Sequence, residues 1–198
     1  MIGHSSAHIN QPNINLDSQY WWRRKDLDYS EMTQIGGNFP LAYNAIVTGK
    51  LAATDTYVYF GFFMDDDWDA ISDLIIEVWV ALSAAETAND IIHSELRLDY
   101  FGDHELINAP AETQTINHDH NIGADNAQWT CHRLIFVIPY DTAGNLFENT
   151  DEVKCRFRLR NVTTETPVAE VFMLGAKMYY RSRYPHARLY NTHPAANG

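Results

Sequence analysis

The chain has 198 residues, 45% of them hydrophobic and 20% charged, with a formal net charge of −12. That length supports one good-sized core rather than two, and the negative balance excludes nucleic acid as an expected partner, since that would call for a basic face. No apolar run approaches the roughly eighteen residues of a membrane-spanning helix, and Met1–Gln11 lacks the basic-then-apolar order of a secretory signal, so no membrane partner is expected.

Met1–Leu16 is polar, rich in Asn and without periodicity. It is expected to need something to lie on. Tyr20-Trp21-Trp22-Arg23-Arg24-Lys25 follows. If this piece is extended, Trp21 and Trp22 point to opposite sides, so at least one caps the core or meets a partner. Phe39–Val47 reads as a strand ended by a turn at Gly49. Thr56–Met64 is aromatic and strongly β-prone. Next comes an acidic loop, Asp65-Asp66-Asp67-Trp68-Asp69, which runs into Leu74–Leu82. That strand is apolar on both of its sides and is therefore expected to be central, with Trp79 in the core. Ser83–Asn89 allows a helical turn and no more. Ile91–Phe101 alternates, with Leu96, Leu98 and Tyr100 on one face and Glu95, Arg97 and Asp99 on the other.

Gly102–Gln128 is a long polar connection, with a short strand expected at Thr115–His118; such connections are usually functional or meet another subunit. Trp129–Tyr140 is a strand, and Thr142–Asn145 has turn chemistry. Val153–Arg160 alternates without a fault, giving one buried face and a basic stripe of Lys154, Arg156, Arg158 and Arg160. Thr163–Pro167 is a turn, Ala169–Tyr180 the last strand and Arg181–Gly198 an irregular basic-aromatic tail. Successive strands with turns between them predict an all-β fold, an antiparallel two-sheet jelly-roll-like sandwich with irregular N- and C-terminal extensions. The divisions expected are 1–38 as an extension packing on the core or a neighbouring subunit, 39–182 as the sandwich and 183–198 as a tail. Cys131 and Cys155 both lie in strand-like runs and read as free, buried thiols.

Charge is distributed unevenly. Residues 51–130 hold sixteen Asp and Glu against Arg97 alone, whereas 131–198 hold nine Lys and Arg against six acids. Either one molecule carries an acidic and a basic side, or copies pack acidic patch to basic patch. Asp65, Asp67 and Asp69 are candidate calcium ligands, although the loop lacks the Gly and Glu positions of an EF-hand; the plainer reading is a solvated acidic loop. His118 and His120 share a face if their segment is extended, and with His132 as a third donor they are candidate transition-metal ligands of the kind a cupin-like enzyme would use. Ser/His/Asp catalysis finds no nucleophile elbow, and Cys131 and His132, as strand neighbours, point apart. No catalytic residue and no cofactor is expected. Trp68 and one of Trp21 and Trp22 are expected to be exposed, for a subunit contact or for stacking on sugar. Arg156, Arg158 and Arg160 are expected to pair with Glu95 or Asp99 on an adjacent strand, or to join Arg181 and Arg183 in meeting another subunit.

The order of these features resembles the jelly-roll domains of tailed-phage virion proteins. It runs from an aromatic strand to Asp66-Asp67-Trp68-Asp69, then Asp73-Leu74-Ile75-Ile76-Glu77-Val78-Trp79-Val80. Later come Leu134–Pro139 and Asp151–Leu159, and the run closes on Met173-Leu174-Gly175-Ala176-Lys177-Met178-Tyr179-Tyr180. The resemblance covers about residues 40–182. It implies a virion structural protein, a head decoration or short spike, assembled in the host cytoplasm as a homotrimer with other virion proteins as partners. A receptor- or glycan-binding module of a virion tail or fibre, docking on a host-surface glycan, is the alternative. It implies no catalytic residue.

Overall fold

The computed structural model describes residues 21–28, 31–36, 41–43, 46–52, 56–102, 113–142, 145–146, 148, 151–162 and 167–183. The expectations for Met1–Leu16, for the turn at 163–166 and for the tail beyond Arg183 fall outside them. The described residues form thirteen strands and no α-helix.

One sheet contains β3 (Leu41–Tyr43), β4 (Ile46–Ala52), β13 (Glu170–Ser182), β6 (Leu74–Leu82) and β9 (Cys131–Ile138), hydrogen-bonded in that order. Strand β1 (Trp21–Asp28) joins it by pairing with β13 along Gly175–Ser182, next to the stretch that pairs with β4. The other sheet runs β2 (Thr33–Ile35), β5 (Tyr57–Phe63), β12 (Glu152–Leu159), β7 (Ile91–Phe101), β8 (Thr113–Asn121). A small hairpin, β10 (Asp141–Thr142) with β11 (Asn145–Leu146), stands apart. Every ladder is antiparallel. From β4 to β7 each strand lies in the opposite sheet to the one before it, and the chain crosses again from β8 to β9 and from β12 to β13. This is the jelly-roll-like, two-sheet course that the strand pattern predicts.

The core lies between the sheets. Val58, Phe60 and Phe62 of β5 and Val153, Cys155, Phe157 and Leu159 of β12 meet Leu74, Ile76, Val78, Val80 and Leu82 of β6. Alternation in β5 and β12 sends their other residues outward, so each of these strands has one wet face. Strand β6 is different. Its outward residues Ile75, Glu77 and Ala81 are also buried, and only Trp79 is part-exposed.

The acidic loop closes one end of the sandwich. Trp68 is fully buried, forms an isolated antiparallel bridge with Ser182 and belongs to the core cluster. The backbone on either side is tied to the end of β13, Asp69 N–H donating to Arg181 O at 2.9 Å and Arg183 N–H to Asp67 O at 2.7 Å. Each carboxylate then meets a different cation. Asp65 accepts from Lys25 at 2.7 Å and from the Tyr180 hydroxyl, Asp67 pairs with Arg23 at 2.7 Å and accepts from Ser182 at 2.8 Å, and Asp69 pairs with Arg181. Arg23 and Lys25 lie opposite Tyr180 and Met178 in the β1–β13 ladder, so they sit on the core side of β1. The loop brings acids to basic residues that would otherwise face the interior uncompensated.

Several expectations change. The first strand lies at residues 21–28, inside the stretch expected to be an extension, because β13 offers β1 eight residues of ladder. Gly49 is no turn, since β4 runs through it and pairs it with Met173. Strand β8 is longer than the piece expected there, with Ile91↔Asn121 through Asp99↔Thr113 in register. Ser83–Asn89 forms bends and a turn rather than helix, with Asn89 at a φ of 71°. Cys155 is buried, and burial raises its thiol well above the usual value, but Cys131 is exposed on the outward side of β9.

Trp68→Ala is expected to destabilise the protein by about 3–5 kcal/mol, the range for emptying a large aromatic site in a core. Urea melts of the wild type and variant measure it; a loss below about 1 kcal/mol contradicts the closing role.

Candidate functional site

The outward face of the β13–β6 sheet carries a composition unlike a solvated surface. Strand registers place its side chains in rungs, about 6.8 Å apart along a strand. From one end the rungs read Cys131, Ala81, Phe172, Lys50; then Arg133, Trp79, Gly175; then Ile135, Glu77, Lys177, Asp26; then Val137, Ile75, Tyr179, Arg24; with Arg181 and Trp22 beyond. Aromatic rings therefore recur along the face at Phe172, Trp79, Tyr179 and Trp22. Trp129 extends the line. Its ring stacks on Phe172 at 4.5 Å and 4°, and it is held at a φ of 71°, where a bulky residue is strained. Its N–H donates to Leu82 O at 2.9 Å at the entry to β9.

A register shift between Met173 and Gly175 breaks the β13–β6 ladder beside Trp79. Gly175, opposite Trp79, puts no side chain on the face. The result is a depression of about 390 Å3 lined by Arg24, Asp26, Trp79, Leu174 and Lys177, with Leu27 and Ala176 beneath. The Trp79 indole N–H is buried and has no hydrogen-bond partner among the described residues. The Lys177 ammonium lies 4.9 Å from the centre of the Trp79 ring, a contact worth about 0.5–1 kcal/mol where exposed.

Next to the depression Glu77 is almost wholly buried. Arg133 Nη1 pairs with its Oε1 at 3.3 Å, and the Tyr179 hydroxyl donates to its Oε2 at 3.2 Å. Burial, and then the Glu77 charge, raise the Tyr179 phenol above its ordinary value, so it remains the donor. A buried carboxylate gripped from two sides is a fixed polar centre on a face otherwise built of rings and aliphatic stems.

The candidate residues read from the sequence are dispersed. Trp22 lies on this face. The Trp21 side chain falls outside what is described. Trp68 is in the core, so it is unavailable for docking, and Trp79, expected in the core, is on the outward face. Arg156 and Arg158 stand on the outward face of the other sheet and share Glu95, at 3.6 and 2.7 Å, with both guanidiniums near the Tyr57 ring. Arg160 pairs with Asp119 and donates to Ser94 O at 3.1 Å. Arg181 and Arg183 turn to the acidic loop of their own chain, Arg183 Nε donating to Trp68 O at 2.6 Å. Asp65, Asp67 and Asp69, each engaged by a separate cation, do not converge as calcium ligands.

His118, His120 and His132 do come near one another, where edge strand β8 meets edge strand β9. His132 Nε2 donates to Asp125 O at 3.0 Å, which leaves its Nδ1 to accept from His120 Nε2 at 3.2 Å. His118 lies against Phe136 at 5.5 Å. The rings form a hydrogen-bonded relay and not a ligand set; no group of three His, Cys, Asp or Glu among the described residues is placed to hold a metal ion. Burial, and then charge repulsion that protonation would set up with His132 and His118, push His120 down to about 4. Burial also lowers His118.

No protein-family model and no curated protein matches the sequence. Among solved structures, the xylan-binding module CBM15 is 13% identical, covering 80% of this chain and 96% of its own, with a TM-score of 0.49. The CBM36-1 domain of a multidomain xylanase from the hindgut metagenome of Trinervitermes trinervoides is 10% identical over 79% of this chain and 96% of its own, TM-score 0.44. A structure of infectious bursal disease virus, Gx strain, is 12% identical over 83% of this chain and 33% of its own, TM-score 0.42. Identities and scores this low say nothing about ligand or assembly.

Because His120 is depressed in the folded state, the neutral relay contributes stability fully above its unfolded value of 6.5, and that contribution is lost as pH falls toward about 4. Melting temperature is expected to be level above pH 7 and to fall across that window. His120→Gln is expected to flatten the fall, and a slope unchanged in the variant contradicts the assignment.

Proposed function

We propose that this protein is a non-catalytic carbohydrate-binding module that holds a glycan chain along the outward face of β1, β13, β6 and β9. The observation that carries the reading is the Trp79–Gly175 depression on the central strand pair. A ring wall and a floor without a side chain together suit a flat, hydroxyl-bearing ring, which offers one apolar face for stacking. The line from Trp129 to Trp22 spans several rungs, so an extended chain would meet more than one ring.

The virion reading rests on the sequence resemblance alone. Two of the features expected to make assembly contacts, Trp68 and the acidic loop, are used inside the chain, and neither a homotrimer nor a virion partner draws support from the face described.

Trp79→Ala is expected to weaken glycan binding by roughly 5- to 150-fold, taking as the scale the ~1–3 kcal/mol that stacking of a planar ring on an aromatic side chain is worth in base–aromatic contacts. Affinity electrophoresis through gels containing plant and bacterial polysaccharides measures it, with circular dichroism confirming the fold. Absence of binding to every polysaccharide by the wild-type chain overturns the reading.

A further inference from the structure

We infer that the ligand of this face is an acidic glycan, a chain whose sugar rings carry a carboxylate, and that Lys177 is the residue that selects it. The inference rests on the carbohydrate reading of the same face. Lys177 sits between two acids in register, Asp26 across β1 and Glu77 across β6, yet neither pairs with it. Asp26 is held by Arg24 at 2.9 Å, and Glu77 by Arg133 and Tyr179 at 3.3 and 3.2 Å. Among the described residues the Lys177 ammonium therefore forms no ion pair, and it lies over the face of Trp79.

Of the described side chains at and beside the depression, Arg24 pairs with Asp26 and Arg133 with Glu77, which leaves the Lys177 ammonium as the charge without an ion pair. An ammonium without an ion pair on the wall of the depression is complementary to an anion. The contact that Lys177 would give up is weaker than the one it would gain. An exposed cation–π contact ranks below a charge-assisted hydrogen bond to a carboxylate, so the ammonium leaves the ring for a uronate carboxylate, and the freed ring face receives the sugar. One residue thereby acts as cover for Trp79 without ligand and as anion anchor with it.

The test titrates the full chain with polygalacturonate and with a neutral galactan of similar length by calorimetry, at low salt and at about 0.5 M salt, where the Debye length has shrunk to a few ångströms. Polygalacturonate is expected to bind about tenfold tighter at low salt, a margin that narrows as salt rises. Lys177→Gln is expected to remove that margin, with an unchanged melting temperature showing that the fold is intact. Equal or tighter binding of the neutral chain overturns the acidic-ligand inference and leaves the carbohydrate reading standing. A preference for polygalacturonate that survives Lys177→Gln overturns the role of Lys177. Failure of both chains, and of neutral polysaccharides generally, overturns the carbohydrate reading itself.

Discussion

The sandwich depends on how the C-terminal half of β13 is held. This half is the ladder partner of both β1 and β6, and its end is gripped by the acidic loop through backbone and side chains together. Trp68 supplies the apolar part and Asp65, Asp67 and Asp69 the polar part. The order of causes matters. Edge strand β1 brings Arg23 and Lys25 to the core side of the sheet, where unpaired cations are costly. The loop is acidic because those positions, and Arg181, have to be met. Asp69 is nearly inaccessible, and breaking such a pair from one side costs about 3–5 kcal/mol. Burial alone would raise the Asp65 carboxyl, but hydrogen bonds from Lys25 and Tyr180 outweigh it and hold the group below its ordinary value.

With β13 fixed, the outward face of β6 follows. An antiparallel strand in a two-layer sandwich normally has one face in water. Here no helix among the described residues covers the second face of β6, and its outward residues are still buried. They are roofed by long side chains from the flanking strands: Arg133 from β9, and Tyr179 and Lys177 from β13. Such a roof is made of flexible stems and half-exposed rings rather than packed backbone. It can therefore open at one place without disturbing the core beneath. The opening lies at Gly175, where the ladder slips by one residue and a missing side chain leaves a depression beside Trp79. Bulges of this kind re-aim side chains at functional surfaces.

Period-two alternation made β7 and β12 legible in the sequence, aromatic β-propensity made β5 so, and turn chemistry separated them. The centrality of Leu74–Leu82 was also legible, because only a strand buried on both faces reads as a continuous apolar run. That same run hid the site. When both faces are apolar, alternation no longer says which residue points inward, so Trp79 read as core although it stands on the outward side. Glu77, a lone acid inside an apolar run, was the signal that this strand's second face was special. Trp68 misled in the opposite direction. Four aspartates around it suggested an exposed loop, but its burial is set by the ladder end at Ser182, a contact more than a hundred residues away in sequence, and no local pattern encodes such a distance.

The imbalance of charge between the middle and the end of the chain has its resolution within one molecule. Acids of residues 51–130 meet bases of residues 131–183 across strand pairs: Glu95 with Arg156 and Arg158, Asp119 with Arg160, Glu77 with Arg133, Asp69 with Arg181. Sequence order alternates between the two sheets, so strands distant in the chain become ladder neighbours, and an excess of acid in one half is met by base from the other. What this leaves over is informative. Where every flanking acid has been claimed by another base, a cation such as Lys177 has no internal reason for its charge, and the reason is then to be sought in what the face receives.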